Sequence, residues 1–196
     1  MRKLPSSIDN PVDNLLVDIA DHIDPYMKAL NMTPNMITTL GLLSALVSIY
    51  KFWVGEYKSS AIFFFLSYFF DCVDGNFARK YNMVTDFGDY YDHTVDISKS
   101  IIIYSLLFYY LYINDHTFII ILLVLLLVLQ LVHFGCQEKY VEKTNSAISS
   151  YTLAPLKPLC YAPSNDIENT MKFVRFVGSG TCALVTAIII YNLDKL

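Results

Sequence analysis

Apolar residues along this chain fall in long runs separated by short polar stretches, and only the first run is amphipathic. Val12, Leu15, Leu16, Ile19, Ile23, Met27 and Leu30 recur at helical spacing over residues 11–31, with Asp13, Asp18, Asp21 and Asp24 at other positions. The pattern predicts a helix that either lies along a membrane surface or packs on a bundle. Pro25 is expected to kink or divide it. Residues 36–55, 59–79, 88–113, 117–135 and 172–191 are each long and apolar enough to cross a bilayer. The stretch 145–163 is moderately apolar, but Pro155, Pro158 and Pro163 interrupt it, and lipid offers no partner for the backbone groups that proline frees. Five spans follow from the pattern, and a sixth at 145–163 would have to be a broken helix buried by its neighbours. Gly41, Ser44 and Ala45 would let another helix approach the first span closely.

Composition supports a membrane protein. Hydrophobic residues make up 55% of the 196 and charged residues only 16%, against about a quarter in ordinary soluble domains. The length suggests a single domain over residues 1–196, an all-α integral membrane bundle of five or six transmembrane helices preceded by an amphipathic surface helix. A net charge of −4 argues against nucleic acid as a partner. No apolar h-region stands in the first 35 residues, so no cleavable signal peptide is expected. Cys72, Cys136, Cys160 and Cys182 are scattered without C-x-x-C spacing, which indicates neither a zinc site nor a disulfide framework and predicts reduced thiols. His133 and Cys136 lack further ligands, Glu138 and Lys139 read as solvated loop charges, and Gly178, Gly180 and Thr181 read as helix packing. In alternating spans Arg2, Lys3, Lys28, Arg79, Lys80, Lys139 and Lys143 fall on one side and Lys51 and Lys58 on the other, which predicts the first group in the cytosol.

Four carboxylates between hydrophobic runs change the picture. They stand in the spacing D-x2-D-G-x2-A-R-x8-G-x3-D-x3-D, at Asp71, Asp74, Gly75, Ala78, Arg79, Gly88, Asp92 and Asp96. Asp71, Asp74 and Ala78 share one helical face, and Gly88, Asp92 and Asp96 share another. Two helices joined by 80–87 could aim all four acids at one point, where they would repel one another unless cations neutralise them. Such oxygen ligands suit Mg2+ or Mn2+, and two such ions can clamp a displacement at phosphorus. Gly75 and Gly88 allow close approach of a ligand or backbone, and Arg79 can hold a phosphate in bidentate fashion. Bases near the acids are too few for an ion-paired bundle, although Lys99, on the face of Asp96, could neutralise them or meet a substrate phosphate. His93 reads as a polar flank.

Those eight positions resemble the signature of the CDP-alcohol phosphotransferase family, the class I CDP-alcohol phosphatidyltransferases. Thr33, Pro34, Asn35 and Thr38 resemble its P-N-x-x-T element, although Thr33 and Pro34 also read as a helix start. The resemblance implies six spans and a homodimer with one site per protomer. It implies two metals held by Asp71, Asp74, Asp92 and Asp96, with Asp96 also the general base. It implies donor contacts from Asn35, Thr38, Gly75, Ala78, Arg79, Thr85 and Gly88.

The function that follows is transfer of a substituted phosphate from a CDP-linked donor to an acceptor hydroxyl, releasing CMP, in phospholipid biosynthesis. Donor and acceptor stay open between CDP-diacylglycerol with a small alcohol and a CDP-aminoalcohol with diacylglycerol. The alternative is a divalent-cation transporter or a membrane scaffold with an acidic cluster, which would have no use for Gly75, Ala78 and Arg79 at fixed spacing.

Overall fold

A computed structural model of the chain describes residues 3–144, 153–163 and 166–196. These residues form helices and no strand. In chain order the α-helices are α1 (Pro11–Ala29), α2 (Pro34–Trp53), α3 (Tyr57–Lys80), α4 (Asp86–Ile113), α5 (Thr117–Lys143), α6 (Ile167–Val174) and α7 (Ser179–Tyr191). Five stretches among the described residues are long and apolar enough to span a bilayer: α2, α3, α4, α5, and the broken rod Ile167–Tyr191 made of α6 and α7. The protein is a multi-pass integral membrane protein.

Local chemistry sets the helix ends. Asn10, Thr33 and Thr85 cap α1, α2 and α4 through side-chain oxygens, and proline follows the first two at N1. At the other ends Asn31, Gly55, Asn82 and Asp115 adopt positive φ, and the next residue donates back into the last turn, as Met83 N does to Ala78 O at 2.8 Å. These tight reversals make α2 to α5 alternate in direction. The starts of α2, α4 and α7 and the ends of α3 and α5 therefore share one end of the bundle, the motif end.

At the far end Phe52, Ile103, Leu107, Leu111, Leu123 and Ile190 form an apolar core. Gly41, Ser44 and Ala45 of α2 are buried, with Gly41 against Ser67 and Phe70 of α3 and Ser48 bonded to Ser60. This is the close packing expected of small residues. At the motif end Ala20, Ile37, Val73 and Phe77 knit α1, α2 and α3 together.

Helix α1 packs on the bundle, one of the two placements its pattern left open. Leu16, Val17, Ala20 and Asp24 are buried against the bundle, while Leu15, Ile19, Tyr26 and Leu30 are exposed on the outer side. Of the two effects expected of Pro25, division of the helix does not occur. The Asp21 carbonyl that Pro25 cannot serve instead accepts from Lys80 Nζ at 3.2 Å.

The last third departs further from the pattern. Helix α5 runs on to Lys143, beyond the expected span end at 135, with Glu138 and Val141 of its later turns buried and Glu142 and Lys143 exposed. Glu138, expected in a solvated loop, is 0% exposed and pairs with Lys3 at 2.9 Å. Lys139 donates to Ala162 O at 2.5 Å and Cys160 O at 3.4 Å. Of the stretch 145–163, residues 145–152 lie outside the described residues. The remainder holds a 3-10 turn, Ala154–Leu159, laid on Gly135, where a Cβ would clash with Leu156 O. Cys136 and Cys160 form a disulfide there, against the expectation of reduced thiols. Their separation of 24 residues carries no pairing signal, and only the fold-back of the turn onto α5 brings them together.

The last span breaks at Gly178. Its freed carbonyls are served from within the protein: His133 Nδ1 lies 3.1 Å from Val174 O, and Asn10 Nδ2 donates to Arg175 O at 2.6 Å. His133 is thus a packing residue, and Gly180 sits against Asn10 and Asp13, in keeping with helix packing for this stretch.

Candidate active site

Helices α3 and α4 bring the motif together from opposite directions. Thr85 ends the connecting turn, accepting from Gly88 N at 3.0 Å, and so sets the register in which Asp92 and Asp96 face α3. Asp71, Asp92 and Asp96 each offer a carboxylate oxygen, and these atoms lie within 4.8 Å of one another. Asp74 stands one turn along α3 from Asp71, 3% exposed, and is not one of the three. Its Oδ2 accepts from Thr38 Oγ1 at 2.5 Å, so the first turn of α2 holds it.

The three converging acids suit a divalent cation. Asp71, Asp92 and Asp96 each keep a buried Oδ1 without a hydrogen-bond donor, a costly state for a carboxylate. Lys99 Nζ lies 2.5 Å from Asp96 Oδ1 and 3.7 Å from Asp71 Oδ1. One ammonium does not balance three carboxylates, and a cluster of oxygens without protein donors is what a hard cation takes up. His93 lies between Asp92 and Asp89, at 3.5 and 3.8 Å, on the flank of the cluster.

Two cavities meet at the acids. The wider, about 1140 Å³, lies at the motif end. Asn35, Thr38 and Asp74 line it, as do Gly75, Ala78, Arg79, Thr85 and Gly88. Gly75 leaves room for the guanidinium, since a Cβ there would stand 3.1 Å from Arg79 Nη1. Gly88 does the same for Asn35 Oδ1, 3.3 Å from its would-be Cβ. The second cavity, about 660 Å³, lies deeper among apolar residues such as Ile49, Phe64, Ile103, Leu127 and Leu131. Tyr68, Asp71, Asp92, His93, Phe134 and Ser179 border both, whereas Asp96 borders only the deeper one.

Tyr68 and Asp13 were not legible as site residues. Tyr68 stands one turn before Asp71 on the same face, so helical spacing could have singled it out. Asp13 is 55 residues away from it in sequence, yet its Oδ1 accepts from Tyr68 Oη at 2.5 Å. Burial pushes the Asp13 carboxyl up from 3.8 to about 7 against the Tyr68 hydrogen bond, with the charge of Asp9 adding to the rise. The folded chain thus keeps a proton that the unfolded chain has released. Stability should fall as pH rises from about 4 to about 7 and level off above, the sign for a raised carboxyl. Asp13→Asn is expected to remove this dependence, unfolding at higher temperature than the parent near about pH 8 and at the same temperature near about pH 4. Parallel melting curves at both values would refute this.

Comparison with known proteins agrees with the geometry. Residues 31–192 match the family model of CDP-alcohol phosphatidyltransferase. The chain belongs to the CDP-alcohol phosphatidyltransferase family. The match takes in α2 to α7 with all eight motif positions, and stops short of α1, so the Asp13–Tyr68 contact joins the family region to a helix outside it. Archaetidylinositol phosphate synthase of Pyrococcus horikoshii is 32% identical over 76 residues, which is 39% of this chain and 40% of that relative's length. No solved structure matches the chain.

Proposed function

We propose that the chain transfers a substituted phosphate from a CDP-linked donor to an alcohol hydroxyl, releasing CMP, in phospholipid biosynthesis. The observation that carries this reading is the meeting of a wide, partly polar cavity and a deep, apolar one at Asp71 and Asp92. A reaction that handles a water-soluble nucleotide and a lipid together needs one compartment for each. A cation pathway would need neither the apolar chamber nor an arginine beside the acids.

Asp71, Asp74, Asp92 and Asp96 would hold two divalent ions, Mg2+ or Mn2+, which when bound supply charge neutralisation at the pyrophosphate and its leaving group. Arg79 binds a phosphate of the nucleotide, with Gly75 making room, and Asn35, Thr38, Ala78, Thr85 and Gly88 wall the nucleotide's cavity. Asp96, facing the deeper cavity, takes the proton of the acceptor hydroxyl. The hydroxyl oxygen then forms a bond to the phosphorus that carries the substituent. The bond from that phosphorus to the bridging oxygen breaks, and CMP leaves with that oxygen and its electron pair.

The motif end faces the cytosol in this reading, supported by Lys3, Lys28, Arg79, Lys80, Lys139, Lys143, Lys157, Lys172 and Arg175 at that end against Lys51, Lys58 and Lys195 at the other. The Cys136–Cys160 bond would there be sheltered from cellular thiols, with its residues 1% and 4% exposed. All motif positions lie in one chain, so a homodimer would carry two complete sites.

The test is CMP release from purified protein in lipid micelles with Mg2+ or Mn2+. The panel pairs CDP-diacylglycerol with inositol, an inositol phosphate, serine, glycerol and glycerol 3-phosphate, and CDP-choline or CDP-ethanolamine with diacylglycerol. The inositol phosphate is included because the relative's name places that group in its product. Release with one pair is expected and names both substrates. A protein that binds no CDP would sink the transferase reading and bring cation transport forward.

A further inference from the structure

Two cations bracket the acid cluster. Arg79 lines the wide cavity. Lys99 stands one turn deeper along α4 than Asp96 and is the one lysine or arginine among the described residues that lines the apolar cavity. Its side chain is only 15% exposed, and its ammonium rests 2.5 Å from Asp96 and 3.7 Å from Asp71. Both contacts are ion pairs to acids of the cluster. An ammonium has three N–H groups and no acceptor. Beyond the acids, the cavity around it is walled mainly by apolar residues such as Ile97, Ile103 and Phe64, with Ser100 and Gln130.

A pyrophosphate seated at the acids has two phosphorus centres that face opposite ways. The one joined to cytidine faces the wide cavity, where Arg79 stands. The one joined to the substituent faces the deeper cavity, where Lys99 stands. We propose that Lys99 binds the phosphate that is transferred, on the membrane side of the acids, as the counterpart of Arg79 on the nucleotide side. This rests on the transferase reading above. It holds for a lipid-linked donor and for an aminoalcohol-linked donor, because either carries its substituent on that second phosphate. Turning from Asp96 to the phosphate, Lys99 would also leave Asp96 open to the acceptor hydroxyl, so that the base is released when the donor is in place.

CMP and CDP differ by this second phosphate alone, which makes them the probes. Equilibrium binding of each is measured in micelles at one fixed Mg2+ concentration for the parent, Lys99→Met and Lys99→Arg. The parent is expected to prefer CDP. Lys99→Met should lose about tenfold of that preference, the scale of a charge-assisted phosphate contact, with CMP affinity held within about twofold. Lys99→Arg should retain most of the preference. CMP binding by the variant also reports that its site is folded. If Lys99→Met binds neither nucleotide, Lys99→Gln decides by the same ratio. Equal weakening of CMP and CDP would mean that Lys99 only neutralises the acids, and would overturn the inference. So would an unchanged ratio, or a parent without preference for CDP. A parent that binds neither nucleotide overturns the transferase reading itself.

Discussion

Asp96→Asn is expected to lower CMP release by at least about a thousandfold while the donor still binds. Asparagine keeps the shape of the side chain but can neither take a proton nor carry a charge. The position matters more than the charge count. Asp71 and Asp92 border both cavities, whereas Asp96 borders only the apolar one. A lipid acceptor's hydroxyl arriving from that side meets Asp96, while Asp71, Asp74 and Asp92 remain to hold the ions and the donor's pyrophosphate. The loss should therefore fall on kcat, with the KM of the donor changed little, the pattern of an interaction made in the transition state. Asp71→Asn, by contrast, is expected to raise the donor KM as well. A loss under about tenfold in Asp96→Asn would move the base elsewhere, with His93 the next candidate beside Asp92. A kcat unchanged and a KM raised would make Asp96 a binding residue only.

The motif could be read before the fold because its chemistry is local. Two helical faces, each carrying acids three or four residues apart, and one short connection suffice to bring Asp71, Asp92 and Asp96 together. Asp74 shows where that reasoning stops: it shares the face of Asp71, yet Thr38 of another helix accounts for one of its oxygens and it stands beside the three-acid group. Thr85 likewise lines the cavity, but the structure employs its hydroxyl as a helix cap. The spans were legible because an apolar run of sufficient length has few alternatives in a bilayer. Beyond residue 135 the last span was legible, but the pairing of charges and cysteines was not, since there the chain uses distant partners. Glu138 finds Lys3, Cys136 finds Cys160, and the break at Gly178 is served by His133 and Asn10. Charge in a sequence says that a partner or water is required, and not which.

Lys80→Met is expected to cost about 2–3 kcal/mol, a value below the range for fully buried pairs because the lysine is partly exposed. Its side chain is 29% exposed and that of Asp24 is 0%. The ammonium serves three acceptors on α1: Asp21 O at 3.2 Å, Asp21 Oδ1 at 3.0 Å and Asp24 Oδ2 at 3.1 Å. The first of these exists because Pro25 cannot donate to it. Asp24 Oδ1 already lacks a donor, so without Lys80 the carboxylate keeps only Asn76 Nδ2, at 3.1 Å. Burial raises the Asp24 carboxyl and Lys80 opposes the rise. Removing the lysine lets it climb further, so the loss should be greatest at high pH and shrink as pH falls and the acid takes up its proton. Asp24→Asn placed in the Lys80→Met background should recover part of the stability, since it removes the uncompensated charge. The consequence reaches the site, because Lys80 and Asn76 lie on the last turns of α3, beside Gly75 and Arg79, and fix them to α1. Thermal unfolding in micelles measures the loss, and hydrogen exchange along α1 locates it. A shift within about a degree, as for a solvated surface pair worth under about 1 kcal/mol, would show that the bundle holds α3 in place without this clamp.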